Sequence, residues 1–87
     1  MSRVLGILGG GQLGLMMILE SKKLGIKFLV HDENPDAPAL GVADGKYFSG
    51  SWKELVDKSD VVTFEFEHVN PLAVSTAESL GKLSLIR

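Results

Sequence analysis

The stretch Arg3-Val4-Leu5-Gly6-Ile7-Leu8-Gly9-Gly10-Gly11-Gln12-Leu13-Gly14 decides how the rest of this chain is read. The apolar run from Arg3 to Leu8 reads as a buried strand. Three glycines break it, and Gln12 to Leu24 reads as a helix with Gly25 placed to close its C-terminus. Residues Gly9 to Gly14 fit the pattern G-x-G-x-x-G, directly after a strand and opening a helix. Gly9 permits the tight turn, Gly11 removes the β-carbon that would block a ligand, and Gly14 lets helix and strand pack closely. The N–H groups at the helix start then face any phosphate or carboxylate placed there. A tight strand-to-helix turn with no ligand satisfies the same pattern. The loop implies an anion site and does not choose the anion.

Outward from this loop, strands and helices alternate. Lys27 to His31 is a second strand, and Pro35 and Pro38 make Asp32 to Pro38 a loop. Ala37 to Val42 is a short helix and Lys46 to Ser49 a third strand. Ser51 as N-cap, with Glu54 three residues on, predicts a capping box for a helix reaching Lys58. Asp60 leads into a fourth strand, Val61 to Phe64. Asn70 caps a helix that starts at Pro71 and ends near Gly81, and Leu83 to Ile86 is a fifth strand. Alternation of this kind predicts an α/β fold, a small doubly wound parallel sheet of about five strands in the order 3-2-1-4-5. Residues 1–87 read as one Rossmann-like domain. Its ligand belongs beyond the C-terminal strand ends, at the switch point between strands one and four.

Two acidic features fall near that point. Asp32 ends strand two, where a carboxylate would take a dinucleotide ribose; a solvated loop acid, beside Glu33 and Asp36, is the plainer reading. In Phe64-Glu65-Phe66-Glu67-His68, strand period two sets the phenylalanines on one face and both glutamates on the other, roughly 7 Å apart. Carboxylates at the end of an apolar strand are costly unless paired or solvated, which points to function, most of all for Glu65. An emerging strand end with two surface acids is the alternative. No third ligand stands at a metal-binding spacing, so no metal is assigned, and His68 is given no role.

Composition bounds these readings. Eighty-seven residues, 45% hydrophobic and 23% charged, suffice for one core and exclude two lobes closing over a site. The chain has no cysteine, so neither disulfides nor thiolate chemistry enter. Net charge is −2 and no basic cluster exceeds Lys22-Lys23, which argues against nucleic acid. No apolar run approaches the roughly 20 residues of a membrane span, and no leader pattern opens the chain. The expectation is a protein of the cytoplasm, or a piece of one.

Three stretches together carry a resemblance: Gly9 to Gly14, Asp32 to Ala43 (DENPDAPALGVA), and Asp60 to Val69 (DVVTFEFEHV). In order and spacing the chain resembles the N-terminal, pre-ATP-grasp domain of the N5-carboxyaminoimidazole ribonucleotide synthetases, the ATPase subunits of phosphoribosylaminoimidazole carboxylase. The related formate-dependent glycinamide ribonucleotide transformylases share the layout but typically have Glu where this chain has Gln12. The resemblance implies an ATP-dependent carbon–nitrogen ligase of purine biosynthesis. ATP and bicarbonate give carboxyphosphate, and the exocyclic amine of aminoimidazole ribonucleotide is carboxylated. It implies that ATP and Mg²⁺ are bound mainly outside this chain, that no catalytic residue lies within it, and that the fragment alone is inactive. The implied substrate contacts are Gly10, Gly11, Gln12 and Leu13 in the loop, with Glu65 and Glu67. One departure is Leu15, where the family commonly has Arg.

Two other classes compete: an NAD(P)-binding module of an oxidoreductase with Asp32 on the ribose, and a non-catalytic association domain. Glu65 and Glu67 argue against the first, since acids there would repel a pyrophosphate. The helix supports association, because Leu13, Leu15, Met16, Met17, Ile18 and Leu19 are apolar on almost every face. Part of the Gln12–Leu24 helix is expected to meet a missing ATP-grasp domain or a second copy of the chain.

Overall fold

The computed structural model describes residues 3–64 and 70–84. Strands β1 (Val4–Leu8), β2 (Lys27–His31), β3 (Gly45–Tyr47) and β4 (Val61–Phe64) form one parallel sheet in the order β3-β2-β1-β4. Helix α1 (Gln12–Ser21) follows β1, α2 (Trp52–Lys58) precedes β4, and α3 (Pro71–Ser79) comes after it. The reversal of direction between β2 and β4 falls on either side of β1, so the switch point opens above Leu8.

Side-chain alternation along β1 divides the core into two layers. Leu5 and Ile7 face α1 and the 3₁₀ turn Pro38–Val42, with Ile18, Phe28, Val30, Ala39 and Leu40. Val4 and Leu8 face α2 and α3, with Trp52, Leu55, Val62, Ala73 and Ala77. A parallel sheet needs both faces covered, and these two clusters provide the cover. Gly6 is set by close approach. A Cβ there would overlap the Ser59 hydroxyl and lie 2.6 Å from Leu55 Cδ2, so α2 packs onto β1 only because position 6 has no side chain.

Most predicted elements occur where the sequence puts them. Lys27–His31 is observed with the expected bounds. The first helix ends as α-helix at Ser21, continues as one 3₁₀ turn to Leu24, and closes on Gly25 at φ 71°. Asn70 caps α3, its Oδ1 accepting from the amides of Leu72 and Ala73, and Pro71 takes the first helical position.

Three expectations change. The third strand, expected from Lys46 to Ser49, runs Gly45–Tyr47, and Ser49 begins a 3₁₀ turn. The capping box of Ser51 and Glu54 does not form. Ser51 ends a 3₁₀ turn with helix-like backbone angles (φ −72°, ψ 3°), not the extended angles of an N-cap. Its hydroxyl accepts from Phe48 N–H at 2.9 Å and donates to the Phe48 carbonyl. Glu54 instead pairs with Lys58 at 2.9 Å, and this hydrogen bond and charge hold the exposed ammonium above the ordinary lysine range. The sheet also shows four strands among the described residues, not five. At the expected fifth position a single parallel bridge joins Val62 to Leu83, closed by Val62 N–H on the Lys82 carbonyl and Ser84 N–H on the Val62 carbonyl. No helix among the described residues is long and apolar enough to cross a membrane.

Candidate functional site

A cleft of about 660 Å³ opens at the switch point. Its wall runs from Leu8, Gly9 and Gly11 at the end of β1, through His31 to Asn34 at the end of β2, to Ala37, Pro38 and Asn70. The turn that makes room for it depends on Gly9, whose φ of 114° is a conformation other residues rarely adopt. Gly9 N–H donates to the His31 carbonyl at 2.7 Å, which ties the loop to β2 at its first residue.

The second residue of the loop is held more firmly. Asp32 Oδ2 accepts Gly10 N–H at 2.7 Å, its Oδ1 accepts Asn34 N–H at 2.8 Å, and the Gly10 carbonyl accepts Ala39 N–H at 2.7 Å. Asp32 is therefore neither a solvated loop acid nor an uncommitted ribose ligand: each carboxylate oxygen is engaged with backbone. Gly10, expected as a substrate contact, is buried with both its polar groups used inside the protein, and Gly9 and Gly11 form the wall on either side. Gln12 and Leu13 start α1 as exposed residues, with no side-chain cap on the helix and no acid in its first turn. The N-terminal end of the α1 dipole faces the loop, where a negative group is favoured. Glu65 and Glu67, like His68, lie outside the described residues.

Three wall residues were not singled out as site residues in the sequence. His31 is buried, its Nε2–H donates to the Ser49 carbonyl at 2.6 Å, and Glu33 Oε1 lies 3.9 Å from the same nitrogen. Asn34 accepts Asp36 N–H on Oδ1 at 2.9 Å. Asn70 was read only as a cap. Position at a C-terminal strand end was the available signal for His31; for Asn70 nothing local pointed to the cleft. Among the described residues no group of three or more His, Cys, Asp or Glu side chains is gathered that would hold a metal ion. Among the described residues the cleft wall includes no lysine or arginine.

A parallel sheet with a glycine loop opening a helix at its switch point defines the Rossmann-like class of ligand-binding domain. Within that class, residues 1–84 match the family model of the ribonucleotide synthetase preATP-grasp domain, and the chain belongs to that family. It is 51% identical over 79 residues to an N5-carboxyaminoimidazole ribonucleotide synthase of Saccharolobus solfataricus, covering 91% of this chain and 22% of that protein. The phosphoribosylaminoimidazole carboxylase ATPase subunit of Aquifex aeolicus superposes with a TM-score of 0.83 at 49% identity, over 92% of this chain and 24% of that one. The N5-carboxyaminoimidazole ribonucleotide synthetase of Thermotoga maritima gives 0.81 at 39% identity, over 93% and 24%. The chain spans about a fifth of the length of the curated relatives it matches.

Proposed function

We propose that this chain is the N-terminal, ribonucleotide-binding portion of an ATP-dependent carboxylating ligase that converts aminoimidazole ribonucleotide, bicarbonate and ATP to N5-carboxyaminoimidazole ribonucleotide. The observation that carries the reading is the switch-point cleft beside the glycine loop, in a chain whose relatives are named for that synthase activity. Gly11, Gln12 and Leu13 offer backbone and amide contacts to the ribonucleotide, and Glu65 and Glu67 accept hydrogen bonds from it. Gly10 serves from behind, by holding the loop.

The residues of the cleft do not fit ATP–Mg²⁺. Among the described residues its wall lacks a cationic side chain for a triphosphate, and Asp32 is engaged with backbone. The nucleotide and metal belong to other parts of a longer protein, and residues 1–87 act as one domain of it, in the cytoplasm, without catalytic residues of their own. The order 3-2-1-4-5 belongs to the same reading, with the Val62–Leu83 bridge as its support. So does a cover for α1, where Leu13, Met16 and Leu19 are exposed; another domain of that protein would bury them. The engagement of Asp32 argues against the dinucleotide module, which needs that carboxylate on the ribose.

Calorimetric titration of the chain with aminoimidazole ribonucleotide, NAD and ATP in parallel tests the proposal. Ribonucleotide binding that Glu65→Ala abolishes is the expected result. NAD binding lost in Asp32→Ala would overturn it.

A further inference from the structure

The chemistry of the cleft wall is uneven. Acceptors are plentiful, with the Glu33 carboxylate at the rim, while no cationic side chain among the described residues contributes. The His31 Nε2–H is taken by the Ser49 carbonyl. Among the described residues, what remains as side-chain donors on this wall are two carboxamides, Asn34 from the end of β2 and Asn70 from the start of α3. Each has its oxygen committed to backbone. Asn34 Oδ1 accepts Asp36 N–H, and Asn70 Oδ1 accepts Leu72 N–H at 2.9 Å and Ala73 N–H at 3.4 Å. An amide whose oxygen is fixed cannot flip, so its Nδ2 hydrogens are the group left to offer a ligand.

We infer that Asn34 and Asn70 form a donor pair that, with the Glu33 carboxylate, recognises the ribose hydroxyls of the bound ribonucleotide. A hydroxyl both donates and accepts, and a wall of neutral donors beside a carboxylate matches that pattern. A phosphoryl group, which only accepts and carries charge, calls for cations or open amides instead. The inference rests on the ribonucleotide reading above and adds two specificity-determining residues to it. It also explains why Asn70, a helix cap, lies on a cleft wall: the cap orients the amide, and the amide meets the ligand.

Aspartate and serine cap helices about as well as asparagine, and aspartate also keeps the Asx acceptor, but neither has an Nδ2 donor. Asn70→Asp, Asn70→Ser and Asn34→Asp therefore separate the structural role from the binding role. Each variant is expected to melt as the unsubstituted chain does. Aminoimidazole ribonucleotide and its riboside, titrated calorimetrically, should both bind roughly tenfold more weakly to each, the cost of one lost hydrogen bond. In the unsubstituted chain the Asn34 and Asn70 side-chain amide resonances should shift on titration with either ligand. Unchanged affinity in all three variants, with clear binding to the unsubstituted chain, overturns the donor pair alone. A loss confined to the ribonucleotide, with inorganic phosphate competing, overturns the hydroxyl assignment. Absence of ribonucleotide binding to the unsubstituted chain overturns the function proposed above together with this inference.

Discussion

Asp32 Oδ2 accepts the Gly10 amide hydrogen at 2.7 Å, joining the glycine loop to the end of β2 across 22 positions of sequence. The same carboxylate holds Asn34 N–H, so one side chain shapes both the loop and the cleft wall opposite it. Asp32→Ala removes two charge-assisted bonds and leaves the buried Gly10 amide without its acceptor. Stability is expected to fall by about 2–3 kcal/mol in urea denaturation, with faster hydrogen exchange at Gly10. An unchanged midpoint together with a still-protected Gly10 amide would show that the loop holds its shape without the acid.

His31, the residue before Asp32, makes a similar tie between the end of β2 and the turn before α2. Its Nε2–H reaches the carbonyl of Ser49, a residue held at φ 47°, where side chains other than glycine are disfavoured. His31→Phe keeps a planar ring, somewhat larger, but removes the donor to that carbonyl. A loss of about 1–2 kcal/mol is expected, with protease sensitivity rising at residues 48–51. Ser49→Gly should be tolerated, since glycine adopts the positive φ without strain.

The contact between β1 and α2 depends on the absence of one carbon. Gly6→Ala forces the Ser59 hydroxyl and the Leu55 methyl to move, and is expected to cost about 1–3 kcal/mol by thermal or urea unfolding. Ser59→Ala in the same chain removes one of the two obstacles and should recover part of the loss. Independent, additive effects of the two substitutions would contradict the close approach.

Helix α1 has two apolar faces with different fates. Ile18 is fully buried, whereas Met16 is 59% exposed. Ile18→Ala should destabilise the chain by about 2–5 kcal/mol. Met16→Lys should change stability by no more than about 0.5 kcal/mol, and should reduce self-association in sedimentation velocity if copies of the chain meet through this face.

Strand and helix positions were legible because their causes are local. The apolar run into Gly9-Gly10-Gly11, the Asn70-Pro71 start and Gly25 each act within a few residues. Period and alternation then lead to a parallel sheet, and its switch point locates the cleft at the loop. Ser51 was misleading for the opposite reason. Its sequence fits a cap, but the 3₁₀ turn before α2 sets its backbone angles and turns the hydroxyl onto Phe48.

Sequence alone determined the α/β alternation of this chain, its family likeness and the place of the switch-point cleft. Those follow from periodicity, glycine and capping, which a reader of residues can sum along the chain. Tertiary structure alone decided what each polar group near the cleft is free to do. Asp32 is committed to Gly10, His31 to Ser49, and the oxygens of Asn34 and Asn70 to backbone amides. A side chain's availability depends on which partners the fold brings within hydrogen-bond reach, and those partners lie as far as 22 residues away.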